Sequence, residues 1–390
     1  MIDSNQKTKT IGTVLSENMI VCVISLMAIG LFMVMNATSS DGIFKDNSSL
    51  LSIKQFTWDI FSLFVASLIL LVIPLDFIKK IAPWLGVATV IMLASVLVFG
   101  ATKNGATRWF DLGAFYFQPS EMAKITSVIF FAWYLDKKKN NISSWMGMFT
   151  CMLLILLVIG LIALEPDLGS SVLILIALTS MLFVAGAKIG HIFSLLLLVF
   201  PLFCFFMYTR FDHVQKRIMT YLNPEDYLST GFYQAHQGLI AMGSGGLFGK
   251  GIGAGLQKLF YVPEAHTDFI FTIIGEDLGF VGCSAVILIY ALLVWYAIQS
   301  CLRTTNLFHL LLSYGIICLF AGQALFNISV VTAVVPNKGI SLPLISYGGS
   351  SVLFTLVGLA ILVKITQSLP PDKPQELGAI QLKHKTKALF

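Results

Sequence analysis

Of 390 residues, 57% are hydrophobic and 12% charged, about half the charged share of an ordinary soluble domain. A soluble chain of this length needs more polar surface than this composition supplies. That excludes a soluble enzyme, a disordered chain and a coiled coil, and points to a polytopic helical membrane protein. The net charge of +5 is spread along the chain with no basic block, so nucleic acid is not an expected partner.

A hydrocarbon core of roughly 30 Å takes about 20 apolar residues of helix. Ten segments meet that length, near 17–37, 55–75, 81–100, 119–136, 146–164, 168–187, 189–209, 269–299, 307–333 and 342–366. The fold class is therefore all-α, an integral membrane protein of ten transmembrane helices. The first segment follows a polar tail with Lys7 and Lys9 and reads as an uncleaved signal anchor. Lys79, Lys80, Lys137, Lys138, Lys139, Lys188, Arg303 and Lys364 gather on one side of this plan, which puts both termini in the cytoplasm. Residues 1–16 and 368–390 are then cytoplasmic tails around a transmembrane domain of 17–367. Most acidic residues fall on the other side, so the outer face is expected to carry the chemistry. The six cysteines lie in or beside apolar runs, without CxxC or metal-ligand spacing, and read as small core or lipid-facing side chains.

Four outer segments hold the polar residues. In the first, Arg108 is followed by Gln118, Pro119, Ser120, Glu121 and Lys124. Pro119 suits the first turn of a helix. Glu121 and Lys124, one turn apart, form either an ion pair or a pair whose cation faces a phosphate. In the second, Glu165-Pro166-Asp167 stands at a turn between spans, where an acid can cap the next helix. The third, 210–268, is much the longest connection and is expected to have its own function. Its start puts Val214, Ile218, Tyr221 and Leu222 along one face and Lys216 and Arg217 elsewhere, as in a helix lying in the membrane interface. Seven glycines then fall within 243–255. Lys250 is followed by Gly251 rather than Ser or Thr, so the Walker pattern fails. A closely packed flexible loop remains, or a backbone cradle for pyrophosphate. Glu264, His266, Thr267 and Asp268 precede the next apolar helix, and Glu276 and Asp277 continue into it. Thr267 or Asp268 can cap that helix, but so many ionisable groups at a membrane boundary are costly unless used. In the fourth, 335–351, Lys338 and Ser346 accompany Gly and Pro that break an apolar stretch. Such a break survives only where protein or a water-filled cavity satisfies the backbone. The residues alone support an outward polar cavity for a phosphorylated or lipid-linked substrate, in an enzyme or in a transporter.

The stretches GATRWFDLGAFYFQPSEMAK, LEPDLGS, KRIMTYLNPED, GLIAMGSGGLFGKGIGAGLQKLFYVPEAHTDFIFTIIGEDLG and PNKGISLPLISYGGSS, in that order, resemble the SEDS family (shape, elongation, division and sporulation), the FtsW/RodA/SpoVE group. KLFYVPEAHTDFIF is most similar to the division branch. The resemblance implies a peptidoglycan glycosyltransferase that polymerises lipid II at the outer face of the bacterial cytoplasmic membrane, at the division septum. It implies a class B penicillin-binding protein, an FtsI-like transpeptidase, as partner, along with other membrane proteins of the divisome. Asp268 is then the catalytic base. Arg108, Gln118, Glu121, Lys124, Glu165, Asp167, Arg217, Glu264, His266, Thr267, Glu276, Lys338 and Ser346 are the expected substrate-binding residues. No dedicated metal cage is visible; a divalent cation, Mg or Mn, would come with the pyrophosphate. A lipid II flippase and a non-catalytic scaffold for the transpeptidase are the alternatives. The inner halves of the spans hold few ionisable groups, which favours the enzyme over the flippase.

The charge plan makes a topological prediction. In a cysteine-free variant, a single cysteine at position 258 should react with an impermeant thiol reagent on intact cells, and one at position 138 should not. The reverse pattern would invert the plan and remove the outward-facing site.

Overall fold

The computed structural model describes residues 10–38, 48–103, 106–113, 115–210, 212–227, 232–255, 266–336 and 339–370. Among them, helices α1 (Ile11–Thr38), α2 (Ser48–Leu71), α3 (Leu75–Phe99), α4 (Pro119–Lys137), α5 (Trp145–Leu164), α6 (Leu168–Val184) and α7 (Ile189–Arg210) occupy the first seven expected segments. The long connection contributes α8 (Asp212–Leu222) and α9 (Tyr233–Gly245). Then α10 (Ile270–Arg303), α11 (Leu307–Val331) and α12 (Gly349–Gln367) occupy the last three. Seven of these, α1, α2, α3, α5, α10, α11 and α12, are long and apolar enough to cross a membrane, and α6 is a shorter apolar helix. The chain is a helical integral membrane protein.

Packing joins distant parts of the chain. Helix α12 lies along α2, α1 along α10, and α3 along α4. Met19, Leu26, Phe131, Phe269 and Phe308 are fully buried between them. At the end expected to be cytoplasmic, Lys364 of α12 donates to the carbonyls of Ile69 (3.0 Å) and Leu70 (2.8 Å). These are carbonyls that the end of α2 leaves without intrahelical partners. On the same side Lys79 pairs with Asp136 at 2.7 Å, joining α3 to α4.

Several boundaries differ from the sequence reading, each for a local reason. Helix α1 starts at Ile11, not near 17. Gly12 lets its first turn lie against the Thr366 carbonyl, which a Cβ would approach to 2.6 Å, so the polar start is held by packing. The outer segment before α4 contains a small antiparallel sheet, β1 (Ala101–Lys103), β2 (Ala106–Asp111) and β3 (Tyr116–Phe117), in the order β1-β2-β3. Phe110 pairs with Phe117 and Asp111 with Tyr116. The β2–β3 turn is closed by Asp111, whose Oδ1 accepts from the Gly113 amide at 2.9 Å, with Gly113 at φ +77°. The last apolar segment is helical only from Gly349; residues 339–348 fold as a non-helical re-entrant segment.

The glycine-rich segment 243–255 repairs a break in α10. Gly279 takes φ +66°, ψ −162° inside that helix, so the carbonyls before it and the amides after it lose helical partners. The Glu276 carbonyl accepts from the Lys250 amide (2.9 Å) and the Asp277 carbonyl from that of Gly251 (3.1 Å). In return Phe280 and Val281 donate their amides to the carbonyls of Gly246 (2.9 Å) and Leu247 (3.1 Å). The Gly255 amide donates to Asp277 Oδ1 at 3.2 Å. These amides serve the protein itself, so the segment is a close-packed splice rather than a phosphate cradle.

The contact has a testable consequence. A Cβ on Gly245 would lie 2.0 Å from the Gly275 carbonyl oxygen, whereas one on Gly243 would meet nothing within 4 Å. Gly245→Ala should destabilise the protein by about 1–3 kcal/mol. Gly243→Ala, in the same helix, should leave it unchanged or slightly more stable. Thermal unfolding in detergent reads both; equal shifts would show that the splice is not tightly packed.

Candidate active site

The re-entrant segment and the start of α10 are built as one unit. Gln323 and Asn327, four residues apart, share a face of α11. Asn327 Nδ2 donates to the Asp268 carbonyl (2.8 Å) and to the Ile340 carbonyl (2.6 Å). Gln323 Nε2 donates to the Ser341 carbonyl at 3.0 Å. The Tyr347 amide donates to the His266 carbonyl at 2.9 Å, and the His266 ring meets the Tyr347 ring edge-on at 5.7 Å. Buried Ser346 closes the turn by accepting from the Leu342 amide at 2.8 Å. The Tyr290 hydroxyl donates to the Pro343 carbonyl. The exit is held by Gln55, whose Oε1 accepts from the Gly348 amide (3.3 Å) and whose Nε2 donates to Asp59 Oδ1 (2.9 Å).

Asp268 stands at the edge of this unit, half-buried, as are His266 and Thr267. Helix α10 begins at Ile270, directly after Asp268, with Phe269 at its N-cap position. Its Oδ2 lies where a Cβ on Gly339 would come within 3.0 Å. Gly339 is at φ +58°, which glycine alone takes without strain.

Arg217 feels the charge of Asp268. Arg217 projects from α8, which Tyr221 ties to the α11 end through a 2.6 Å bond to the Val334 carbonyl. Arg217 keeps an open side. Desolvation by the protein on its other side, then Arg108, lower its pKa, while Asp268 and Asp167 raise it. Those four charges therefore share one region. Arg108 of β2 donates Nε to the Glu165 carbonyl (3.0 Å) and Nη2 to the Pro166 carbonyl (2.7 Å). Asp167 caps α6 by accepting from the Ser170 amide (3.1 Å), and its other oxygen accepts from Ser120 Oγ (2.8 Å) and Gln118 Nε2 (3.3 Å). Glu165 is fully buried and neither carboxylate oxygen has a hydrogen-bond partner. Desolvation pushes its pKa up to about 9, with Asp167 adding and Arg108 opposing.

Lys124 and Glu121 line a small cleft of about 20 Å³ between α4, α11 and α12. Their ion pair measures 2.8 Å and is buried. Lys124 also donates to Gln323 Oε1 at 2.7 Å, which links the cleft to the re-entrant segment. Ile316, Leu319, Phe320, Phe354 and Leu359 make the other walls apolar.

Glu276 belongs to another cluster. It is fully buried and pairs with Lys250 at 2.9 Å, next to Asp277, which accepts from Asn36 Nδ2. Glu264 and Lys338 lie outside the described residues. The described residues contain no group of three His, Cys, Asp or Glu placed to hold a metal ion. Gln323, Gln55 and Asp59 escaped the sequence reading. Polar residues one turn apart inside an apolar span, such as Gln323 and Asn327, were the available signal.

Comparison with known proteins places these features in context. The FtsW/RodA/SpoVE family model, described as cell cycle protein, matches residues 16–370. A relative from Geobacter sp. (strain M18) is 37% identical over 285 residues, 73% of this chain and 77% of its own. One from Hahella chejuensis (strain KCTC 2396) is 36% identical over 353 residues, 88% and 87% of the two chains. Both are named "Probable peptidoglycan glycosyltransferase FtsW". The crystal structure of the Thermus thermophilus rod shape determining protein RodA is 28% identical, with a TM-score of 0.67 over 91% of this chain and 97% of that one. A chain from a structure described as "Structural coordination of polymerization and crosslinking by a peptidoglycan synthase complex" is 27% identical, with a TM-score of 0.73 over 90% and 96%.

The unpartnered Glu165 predicts a pH effect. Its folded pKa of about 9 lies above the ordinary 4.5, so between those values the folded state holds the proton more tightly than the unfolded one. Stability from this residue is complete below about pH 4.5 and is lost as pH rises toward 9. Glu165→Gln should therefore flatten the fall in thermal stability between pH 5 and pH 8. A variant that keeps the full slope would assign it to another group.

Proposed function

The chain belongs to the FtsW/RodA/SpoVE family of cell cycle proteins and is a peptidoglycan glycosyltransferase, and we propose that it polymerises lipid II at the outer face of the bacterial cytoplasmic membrane with Asp268 as its general base. The observation that carries this reading is the placement of Asp268. It is half-buried, its backbone carbonyl is held by Asn327, and its Oδ2 lies against Gly339.

The reaction joins the acceptor 4-hydroxyl oxygen to the donor anomeric carbon. The bond from that carbon to the pyrophosphate oxygen breaks, and its electron pair leaves with undecaprenyl pyrophosphate. A hydroxyl is a weak nucleophile at neutral pH, so Asp268 accepts its proton as the new bond forms. The leaving pyrophosphate needs no proton but does need positive charge. Arg217 supplies it from its open side, and Arg108 adds to the field. A divalent cation, Mg or Mn, would come with the pyrophosphate and add to its counter-charge.

Ten spans with both termini cytoplasmic put Asp268 outside, where the glycan grows. A crosslinking partner, a class B penicillin-binding protein, docks on α10 and α11 and contacts the 210–268 connection at the division septum. There it favours the active arrangement of that connection.

Asp268→Asn keeps the size of the side chain but cannot accept a proton. Polymerisation of lipid II by the purified protein should fall by roughly 100-fold or more, while membrane insertion and lipid II binding persist. Lys124→Ala and Arg108→Ala should instead weaken substrate binding or departure of the pyrophosphate. Near-normal polymerisation by Asp268→Asn, free of contaminating polymerase, would rule the assignment out.

A further inference from the structure

The tip of the glycine-rich segment takes no part in the chemistry above, yet it presents Leu247, Phe248 and Ile252 outward, Phe248 at 81% exposure. Phe280 and Val281 of α10 are exposed beside them. The two groups form one surface, because the amides of Phe280 and Val281 bond the carbonyls of Gly246 and Leu247. We infer that this surface is an apolar anchor seated in the lipid leaflet on the Asp268 side of the membrane, at the boundary between hydrocarbon and headgroups.

Three observations carry it. The first is depth. Helix α10 is unbroken from Phe280 to Arg303, about 35 Å at 1.5 Å per residue, close to a hydrocarbon core of roughly 30 Å. With Arg303 at the opposite interface, Phe280 lies about 35 Å along the helix, at the far edge of the hydrocarbon. The anchor is thus continuous with the lipid-facing side of a span. The second is the backbone. The splice to α10 pairs the amides of Gly249, Lys250 and Gly251 within the protein, so the tip does not depend on water for them. The third is charge. Lys250 is the one charged residue within 243–255, and it is paired with buried Glu276. Aromatic and aliphatic side chains around a neutralised lysine suit the interface. An anchor there fixes the height of the α10 start, and so of Asp268, above the lipid phosphates.

The test uses the full chain in lipid nanodiscs, cysteine-free, with a nitroxide at position 248 or 252. Position 288, on the exposed mid-span face of α10, is the lipid reference, and position 139, in an exposed turn, is the aqueous one. Collision rates with oxygen and with a neutral nickel complex report depth. Labels at 248 and 252 should shift toward position 288, with oxygen favoured and nickel excluded. A benzophenone side chain at 248 in the chain with its own cysteines gives a second reading, and should crosslink to lipid in native membranes. Nickel access at 248 and 252 equal to that at 139, or no lipid adduct, would overturn the inference. So would shielding seen only after a crosslinking partner is added, which would make the tip a protein-docking face.

Discussion

Unpaired backbone groups at membrane depth are the constraint on which this structure depends. A continuous helix satisfies its own amides and carbonyls, and lipid offers no substitutes. The chain interrupts its helices twice, at Gly279 in α10 and through residues 339–348 before α12. Each break is repaired by a distant part of the sequence. The glycine-rich segment exchanges backbone bonds with α10 across Gly279. Gln323, Asn327, Tyr290 and Gln55 take up groups of the re-entrant segment. Asn327 is the hub, since one amide nitrogen reaches both Ile340 and Asp268. The repair that makes the break tolerable is therefore also what positions the proposed base.

The carboxylates of the outer half sort by what surrounds them. Glu121 is tied to Lys124, Glu276 to Lys250, and Asp277 to Asn36 and the Gly255 amide. Each of these acids is held in place by a named partner. Asp167 is committed as a cap and to Ser120. Glu165 is buried without a hydrogen-bond partner and stays protonated at neutral pH, which unfits it to accept a proton. Asp268 combines a fixed backbone, partial exposure and a neighbouring arginine.

Much of this was legible because it was local. Apolar runs located the helices. Pro119 marked the start of α4, and Asp167 the cap of α6. The one-turn spacing of Glu121 and Lys124 anticipated their pair, and the periodicity of 213–222 anticipated α8. What escaped depends on contacts between distant residues. Helix α9 lacks a sharp apolar stripe, and the three strands are too short to stand out from the loops around them. Gly279 looked like one more residue of an apolar helix, although seven glycines in 243–255 were the counterpart to its kink. Gln323 carries no charge and drew no notice, yet an amide side chain inside a span has to find partners.

The vertical layout follows from the same economy of backbone partners. A lipid-linked sugar has a prenyl chain that belongs in hydrocarbon and a sugar that belongs in water, so its enzyme needs charge at the boundary. Lysines along a bare transmembrane helix would be costly there, because each would need its own counter-charge at low dielectric. The chain instead delivers Arg217 from a helix lying outside the spans and Arg108 from a small sheet. It draws Lys124 into the cleft only with Glu121 and Gln323 beside it. A rigid all-helical bundle would have to unwind to admit a polar headgroup between spans. A chain that is already unwound there, with its backbone satisfied by side chains, can leave that space open while the bundle around it stays intact.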